Sequence, residues 1–352
     1  MTEKVKVGII GLGFMGTTHL DIYKANDKSE VVAIADVNPA KLAGDISSVF
    51  ANIGGGDNSI PLDLSGITLY EDGMALIKDP NVDLVDICLP TYLHRKYAEA
   101  ALEAGKHLML EKPIGRSSED AKAIVETAAK SSKCFTVGLC VRAWPEYRCV
   151  YERFKAGTYG KLINAFFKRF SPNMAGKGWD NWFADDKRSG GALLDLHVHD
   201  IDQIISLFGR PKAVTSTGSI GARSESCVDH IFSFYDYEDG SMVVAEGGWS
   251  ASDNAPFEMS FQLVCEKATV IFNASGLNEY YEDDSVIQPD LSGYPGPTGW
   301  HRELDVLLSA IQSGGSADTY ITPQEMVDGI CIAEAELDSI QSNGTKVKVE
   351  YK

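Results

Sequence analysis

Asp195 and His199 stand four residues apart in the run Gly190-Gly191-Ala192-Leu193-Leu194-Asp195-Leu196-His197-Val198-His199-Asp200-Ile201-Asp202. On a helix that spacing puts both side chains on one face, within reach of each other. A carboxylate beside an imidazole fixes its tautomer and stabilises its cation, as a general base requires. Lys112 is a second candidate, at the end of the apolar run Leu108-Met109-Leu110 and followed by Pro113. A lysine held there could hydrogen-bond a substrate hydroxyl and, as a cation, lower its pKa. Both have plainer alternatives: a satisfied histidine at a domain interface, and an exposed pair of Lys112 with Glu111. A metal bound by His197 and His199 would need strand geometry, and the helical spacing here argues against it.

A third constellation is Gly11-Leu12-Gly13-Phe14-Met15-Gly16. The first glycine permits a tight turn, the second lets backbone approach a pyrophosphate, and the third allows close helix–strand packing. The helix that follows offers N–H groups and a positive dipole end. Asp36 stands 20 residues beyond Gly16, at the end of the second apolar run. A carboxylate there accepts hydrogen bonds from ribose hydroxyls and repels a 2′-phosphate. Val37 and Asn38 supply no arginine for that phosphate, so the sequence favours NAD over NADP.

The elements that must hold these residues follow from periodicity. Apolar, β-branched runs at Val5–Ile10, Val31–Asp36, Val82–Leu89, Leu108–Leu110 and Phe135–Leu139, with a weaker one at Ile67–Tyr70, alternate with helical segments such as Tyr92–Ala104 and Ser118–Ser131. Runs this apolar suit strands covered on both faces, and the alternation specifies a parallel, doubly wound sheet. Asn52–Ser65 reads as a surface loop insertion. Past residue 141 the pattern changes. Helices are expected at Pro145–Ala156 and Gly191–Phe208, with a strand at Leu162–Phe170 between them. Leu194, Val198, Ile201, Ile205 and Phe208 recur at spacings of 4, 3, 4 and 3, one apolar helix face. Asp195, His199 and Asp202 form the polar stripe beside it. Consecutive β-rich segments over 213–272 indicate an open, mostly antiparallel sheet, and helices near Arg302–Gln312 and Pro323–Ser342 close the chain.

The loop before the Asp195 helix carries Trp179, Asn181, Trp182, Asp185 and Arg188. Tryptophans beside polar groups suit a hydroxylated ring, with apolar C–H faces and polar edges; a lid packed by aromatics is the alternative. Arg142, Trp144 and Tyr147 are further pocket candidates, and His301 and Tyr281 weaker ones.

In this order and spacing, the motifs resemble those of the Gfo/Idh/MocA oxidoreductases, the family of glucose–fructose oxidoreductase and inositol 2-dehydrogenase. The resemblance rests on Gly11–Gly16, Leu89-Pro90-Thr91-Tyr92-Leu93-His94, Ala104-Gly105-Lys106-His107, Glu111-Lys112-Pro113 and Gly190-Gly191 running into Asp195-x-x-x-His199. It covers nearly the whole chain. It implies an α/β architecture: a Rossmann domain over 1–141 and an α+β domain with a large open sheet over 142–352, whose closing helices can pack back on the first. It implies Lys112, Asp195 and His199 as the catalytic set. Gly11, Gly13, Phe14, Met15, Gly16, Asp36, Pro90, Thr91, His94, Glu111 and Lys112 fall to the cofactor, with His94 and Glu111 near its nicotinamide half. Arg142, Trp144, Trp182 and Arg188, the pocket candidates read from the residues themselves, join Asp195 and His199 as expected substrate contacts. Two positions depart from the family pattern: Tyr92, where asparagine is common, and His197, where glycine is. A bulky His197 could reshape the pocket or pack against the sheet. The implied activity is hydride exchange between NAD and a secondary alcohol of a sugar, polyol or inositol-like ring. A dinucleotide-binding sensor, a diol or imine reductase, and an NAD-dependent glycosidase are the alternatives.

Charge narrows the partners. The chain has 352 residues, about two domains' worth, and 32 basic against 50 acidic side chains give 32 − 50 = −18. That balance disfavours nucleic acid and anionic membrane surfaces. No secretory signal and no run of about 18 apolar residues is evident. The seven cysteines form no Cys-x-x-Cys pair, which points to reduced thiols and a cytoplasmic setting. The resemblance implies as partners a small polyhydroxylated molecule and further copies of the chain, as a homodimer or homotetramer joined through the open sheet.

Overall fold

The computed structural model describes residues 3–51, 53, 58–314 and 320–352. Six short strands, β1 (Val5–Ile10), β2 (Ser29–Ala35), β3 (Thr68–Tyr70), β4 (Leu84–Ile87), β5 (His107–Leu110) and β6 (Phe135–Val137), form a wholly parallel sheet in the order β3-β2-β1-β4-β5-β6. Their connections carry α1 (Phe14–Ala25), α2 (Pro39–Leu42), α3 (Gly73–Ile77), α4 (His94–Glu103) and α5 (Ser118–Ala129). The order reverses between β1 and β4, which opens a crevice at the carboxyl ends of those strands. The expected insertion contains no helix or strand over residues 58–65; Asn52 and residues 54–57 lie outside the described residues.

The second half begins with α6 (Pro145–Lys155), β7 (Leu162–Phe170), α7 (Asp186–Ser189) and α8 (Val198–Phe208). Then come β8 (Ala213–Ile220), β9 (Val228–Asp236), β10 (Met242–Gly248), β11 (Glu258–Cys265), β12 (Ala268–Asn273), β13 (Gly276–Tyr281) and β14 (Val286–Ile287). With β7 and the final β15 (Val347–Lys348) they build a nine-stranded sheet ordered β14-β13-β12-β11-β7-β10-β9-β8-β15. Only the β7–β10 pair is parallel. In β9, Val228, Ile231, Ser233 and Tyr235 are buried while Phe232 and Phe234 are exposed. One face therefore packs against α6, α8 and α10 (Pro323–Gln341), and the other is open.

One helix late in the chain belongs to the first sheet. α9 (Gly299–Ser313) lays Leu304, Leu307 and Leu308, all fully buried, against Val5, Val7, Ile9 and Leu20. Each of those leucines contributes about 2 kcal/mol by burial. Gly299 permits the approach: a Cβ there would lie 2.2 Å from the Cys140 carbonyl oxygen. α9 thereby delivers its first turn to the crevice.

Candidate active site

A cavity of about 330 Å³ opens at the carboxyl ends of β1, β4 and β5. The glycine turn forms one wall. Gly11 has φ +98°, the left-handed region, and a Cβ on Gly16 would lie 1.8 Å from the Gly11 carbonyl oxygen. A Cβ on Gly13 would meet open space. The three glycines thus divide into turn, packing and access. No side chain caps α1, so its first-turn N–H groups stay available to a phosphate. Asp36 braces the turn: its Oδ2 accepts from the Leu12 N–H at 2.7 Å and its Oδ1 from the Asn38 N–H at 2.8 Å. Lys41 Nζ lies 3.7 Å from the same carboxylate. These residues fit a dinucleotide: a cradle without side chains for the pyrophosphate, and a carboxylate beyond it for the ribose.

The reactive candidates converge on this cavity. Lys112, Asp195 and His199 all line it, with Phe14, Met15, Pro90, Glu111, Trp144 and Trp182. Lys112 Nζ donates to the Asp195 backbone carbonyl at 2.6 Å and to Asp195 Oδ1 at 3.0 Å. That alters one expectation. No hydrogen bond joins Asp195 to His199 among the described residues. The lysine cation makes the stronger, charge-assisted bond and takes the carboxylate from the neutral imidazole. The helix is also not uniform: Leu193–His197 form a wide π turn before α8 begins, a feature frequent at functional sites.

His199 is nine-tenths buried and its Nδ1 has no partner among the described residues. Burial, then the Arg169 and Lys112 cations, hold its pKa well below the ordinary 6.5. The ring is neutral at pH 7 and able to accept a proton. Glu111 is buried beside Lys112, with Oε2 accepting the Lys112 N–H at 3.0 Å. Burial pushes its carboxyl up, partly offset by His19 and Lys112.

Several expected residues sit elsewhere. Arg142 is buried and off the cavity wall. Its Nε lies 2.9 and 2.8 Å from the two Asp202 carboxylate oxygens, and its Nη1 donates to Glu325 at 3.1 Å. It is a structural cation, and Asp202 of the polar stripe is its counter-ion. Arg188 is also off the wall; it pairs with Asp180 at 3.1 Å and lies over the Tyr92 and Trp179 rings. His94 lies behind the wall. Its Nδ1 is 2.7 Å from the Pro113 carbonyl oxygen and its Nε2 is 2.8 Å from that of Leu89, so it braces two strand-end loops rather than facing a ligand. Thr91 is buried off the wall. Tyr147 packs between Phe261 and Phe272, Tyr281 joins Arg153 and Glu279, and His301 bonds Thr298. Asp185 caps α7, and Asn181 accepts from the Gly176 N–H at 2.6 Å. His197 packs against the sheet, with Nε2 3.1 Å from the Tyr235 hydroxyl and Gly247 leaving room for its ring. Trp179 does line the cavity.

Trp300 and Arg169 line the cavity without having been anticipated. Trp300 meets Trp144 edge-on at 5.5 Å and Phe14 at 6.0 Å. Its signal was faint, a tryptophan at the start of a remote helix. Arg169 had a readable one: Ala165, Phe167 and Arg169 alternate inward on β7, so a charge stands in a core row. It forms a bidentate pair with Asp200 at 3.0 and 3.1 Å.

Comparison with known proteins places this geometry in a family. Residues 5–139 match the model of an oxidoreductase family with an NAD-binding Rossmann fold, and residues 147–271 match the GFO/IDH/MocA C-terminal domain. Levoglucosan dehydrogenase of Pseudarthrobacter phenanthrenivorans is 29% identical over 233 residues, 61% of this chain and 54% of that protein. A scyllo-inositol 2-dehydrogenase (NADP(+)) of Bacillus subtilis is 25% identical over 256 residues, 70% of this chain and 65% of that protein. The matches thus span less than two thirds of either relative. A solved structure of levoglucosan dehydrogenase in complex with NADH and levoglucosan superposes with a TM-score of 0.81 over 99% of this chain and 100% of that one, at 21% identity. The chain belongs to the Gfo/Idh/MocA oxidoreductase family.

Proposed function

We propose that this Gfo/Idh/MocA member catalyses reversible oxidation of a secondary alcohol on a sugar, polyol or inositol-like ring. One observation carries the reading: a lysine cation, its carboxylate partner and a neutral buried histidine face one cavity opposite the glycine turn. NAD, when bound, supplies the hydride acceptor. Gly11, Gly13, Phe14, Met15 and Asp36 would hold it, with Pro90, Glu111 and Lys112 around its reactive end. His199 takes the hydroxyl proton, and its neutrality at pH 7 keeps it ready. Lys112 steadies the oxygen as it gains negative charge. Asp195 holds Lys112 in place rather than orienting His199. The aromatic walls, Trp144, Trp179, Trp182 and Trp300, suit the C–H faces of a hydroxylated ring. Relatives named for levoglucosan and inositol support that substrate class.

The reading extends to organisation. The chain divides near residue 141 into a cofactor domain and a substrate domain. The open sheet face, with Ile163, Phe166, Phe232, Phe234 and Met242 exposed, joins copies of the chain. The protein works in the cytoplasm; among the described residues no helix is long and apolar enough to cross a membrane. The test is purified protein with NAD and a panel of sugars, inositols and anhydrosugars, read by the absorbance of reduced cofactor. No turnover on the whole panel, with NAD bound, would favour a sensor.

A further inference from the structure

Behind Glu111 lies a buried cluster that the proposed chemistry does not use. His19 comes from α1, Asp86 from β4 and Glu303 from α9, and all three are buried. Asp86 is supplied with donors: its Oδ2 lies 2.8 Å from His19 Nδ1, and its Oδ1 accepts from the Cys88 thiol at 3.3 Å. Glu111 is half supplied. Its Oε2 takes the Lys112 N–H, while its Oε1 has no hydrogen-bond partner among the described residues and lies 3.5 Å from His19 Nε2. Glu303 Oε1 and His19 Nε2 are likewise buried without a partner. One nitrogen or oxygen from each of His19, Glu111 and Glu303 lies within 4.8 Å of the other two.

The donors at hand are the His19 Nε2–H, 3.5 Å from Glu111, and the buried Tyr23 hydroxyl. Two carboxylates this close, out of water, do not both ionise, and one keeps a proton. Glu111 has Lys112 and His19 beside it. Glu303 makes no ion pair among the described residues, because the nearby His19 is taken by Asp86 and Glu111, and the charges of Glu111 and Asp86 act against its ionisation. The proton therefore belongs on Glu303. We propose that Glu303 is held as a neutral carboxylic acid whose O–H is the hydrogen-bond donor for Glu111, directly or through one buried water.

With Glu303 neutral, Asp86 and Glu111 share the His19 cation, and the Lys112 ammonium stays with Asp195. Burial, then Glu111 and Asp86, push the Glu303 carboxyl well above its ordinary range. Burial opposes the His19 cation, but Asp86 and Glu111 outweigh it and raise the ring. Glu303 is a positioning residue. It steadies Glu111, which holds the Lys112 backbone. It also lies one turn beyond Trp300 on α9, so the helix that supplies an aromatic wall also sets the lysine.

Infrared spectra of the full chain at neutral pH, in water and in D2O, test this without any substrate. Wild type minus Glu303→Gln should show the carbonyl stretch of a protonated carboxylic acid, shifting in D2O. Wild type minus Glu111→Gln should show no such loss. The kinetic consequence rests on the function proposed above. On a substrate found by the panel, Glu303→Gln, which keeps a donor, should retain most of kcat. Glu303→Leu, which keeps bulk without a donor, should lose roughly tenfold. Absence of the acid band in the first difference spectrum, or its loss with Glu111→Gln instead, would overturn the proposal. So would a stoichiometric divalent metal in the purified protein that Glu303→Gln removes. An acid band together with no turnover would sink the proposed function and leave this assignment standing.

Discussion

His199→Gln separates base catalysis from mere architecture. Glutamine fills similar space but accepts no proton at working pH. Burial and the Arg169 and Lys112 cations hold the His199 ring well below 6.5. At pH 7 almost every molecule therefore carries the base in its accepting form. Removing a positioned base costs about 10²–10⁴-fold, so kcat/KM should fall at least roughly 100-fold, about 2.7 kcal/mol of transition-state stabilisation. The pH dependence has a definite sign. In wild type, kcat/KM should stay level as pH falls to 6.5 and decline only well below it, where His199 protonates. The variant should lack that acid limb. Stability should fall in acid as well, starting nearer 6.5. Between the depressed pKa and 6.5 the unfolded chain binds the proton that the folded chain refuses, so wild type loses stability as pH falls through that window. His199→Gln should lose less, and its Tm deficit should shrink in acid. Initial rates by NADH absorbance and calorimetric Tm from pH 8 to 5 measure both. A variant keeping more than about a tenth of wild-type kcat/KM, or a wild-type acid limb centred at or above 6.5, would refute the base assignment.

Lys112→Met should cost more than Asp195→Asn, roughly 100-fold against tenfold in kcat/KM, because the Asp195 backbone carbonyl at 2.6 Å still holds the ammonium when the carboxylate is gone; the reverse order would count against Lys112 as the oxygen's cation. Asp36→Ala removes the acceptor of two backbone N–H groups and the repulsion of a 2′-phosphate, so the KM for NAD should rise and the preference over NADP should narrow, measured with both cofactors. Gly16→Ala would place a methyl 1.8 Å from a backbone oxygen; calorimetry should show loss of NAD binding, and unperturbed affinity would contradict the packing role. Phe234→Glu, on the open sheet face, should lower the mass found by light scattering while leaving Tm nearly unchanged; an unchanged mass would move any self-association elsewhere.

What was legible in the sequence is what periodicity and backbone geometry decide. The parallel strands emerged because runs buried on both faces leave an apolar signature, and the glycine turn because each glycine answers a steric demand that no other residue meets. The open sheet was visible as consecutive strands, though β13, β14 and β15 escaped; two of these are two-residue edge strands with too few positions to show alternation. The resemblance allowed the closing helices to pack back on the first domain, and α9 does; the residues that place it, Leu304, Leu307 and Leu308 meeting β1, form a contact nearly three hundred residues apart in the chain.

The larger shortfall concerns partners, and it explains the site's chemistry. Asp195, His199 and Asp202 read as one polar stripe, with Asp195 serving the histidine. In the fold, the acids along this helix each neutralise a cation from another element: Asp195 pairs with Lys112 after β5, Asp200 with Arg169 on β7, and Asp202 with Arg142 after β6. Helical spacing says which side chains share a face. It does not say which distant cation will arrive, and an arriving cation takes a carboxylate from a neutral imidazole. The consequence falls on His199. With every nearby acid committed, it faces Arg169 and Lys112 with no carboxylate of its own. A paired histidine would carry a proton more readily at neutral pH. The arrangement that undoes the expected Asp–His pair is thus the one that leaves the ring neutral, and its basicity then rests on burial and on the Arg169 and Lys112 cations alone.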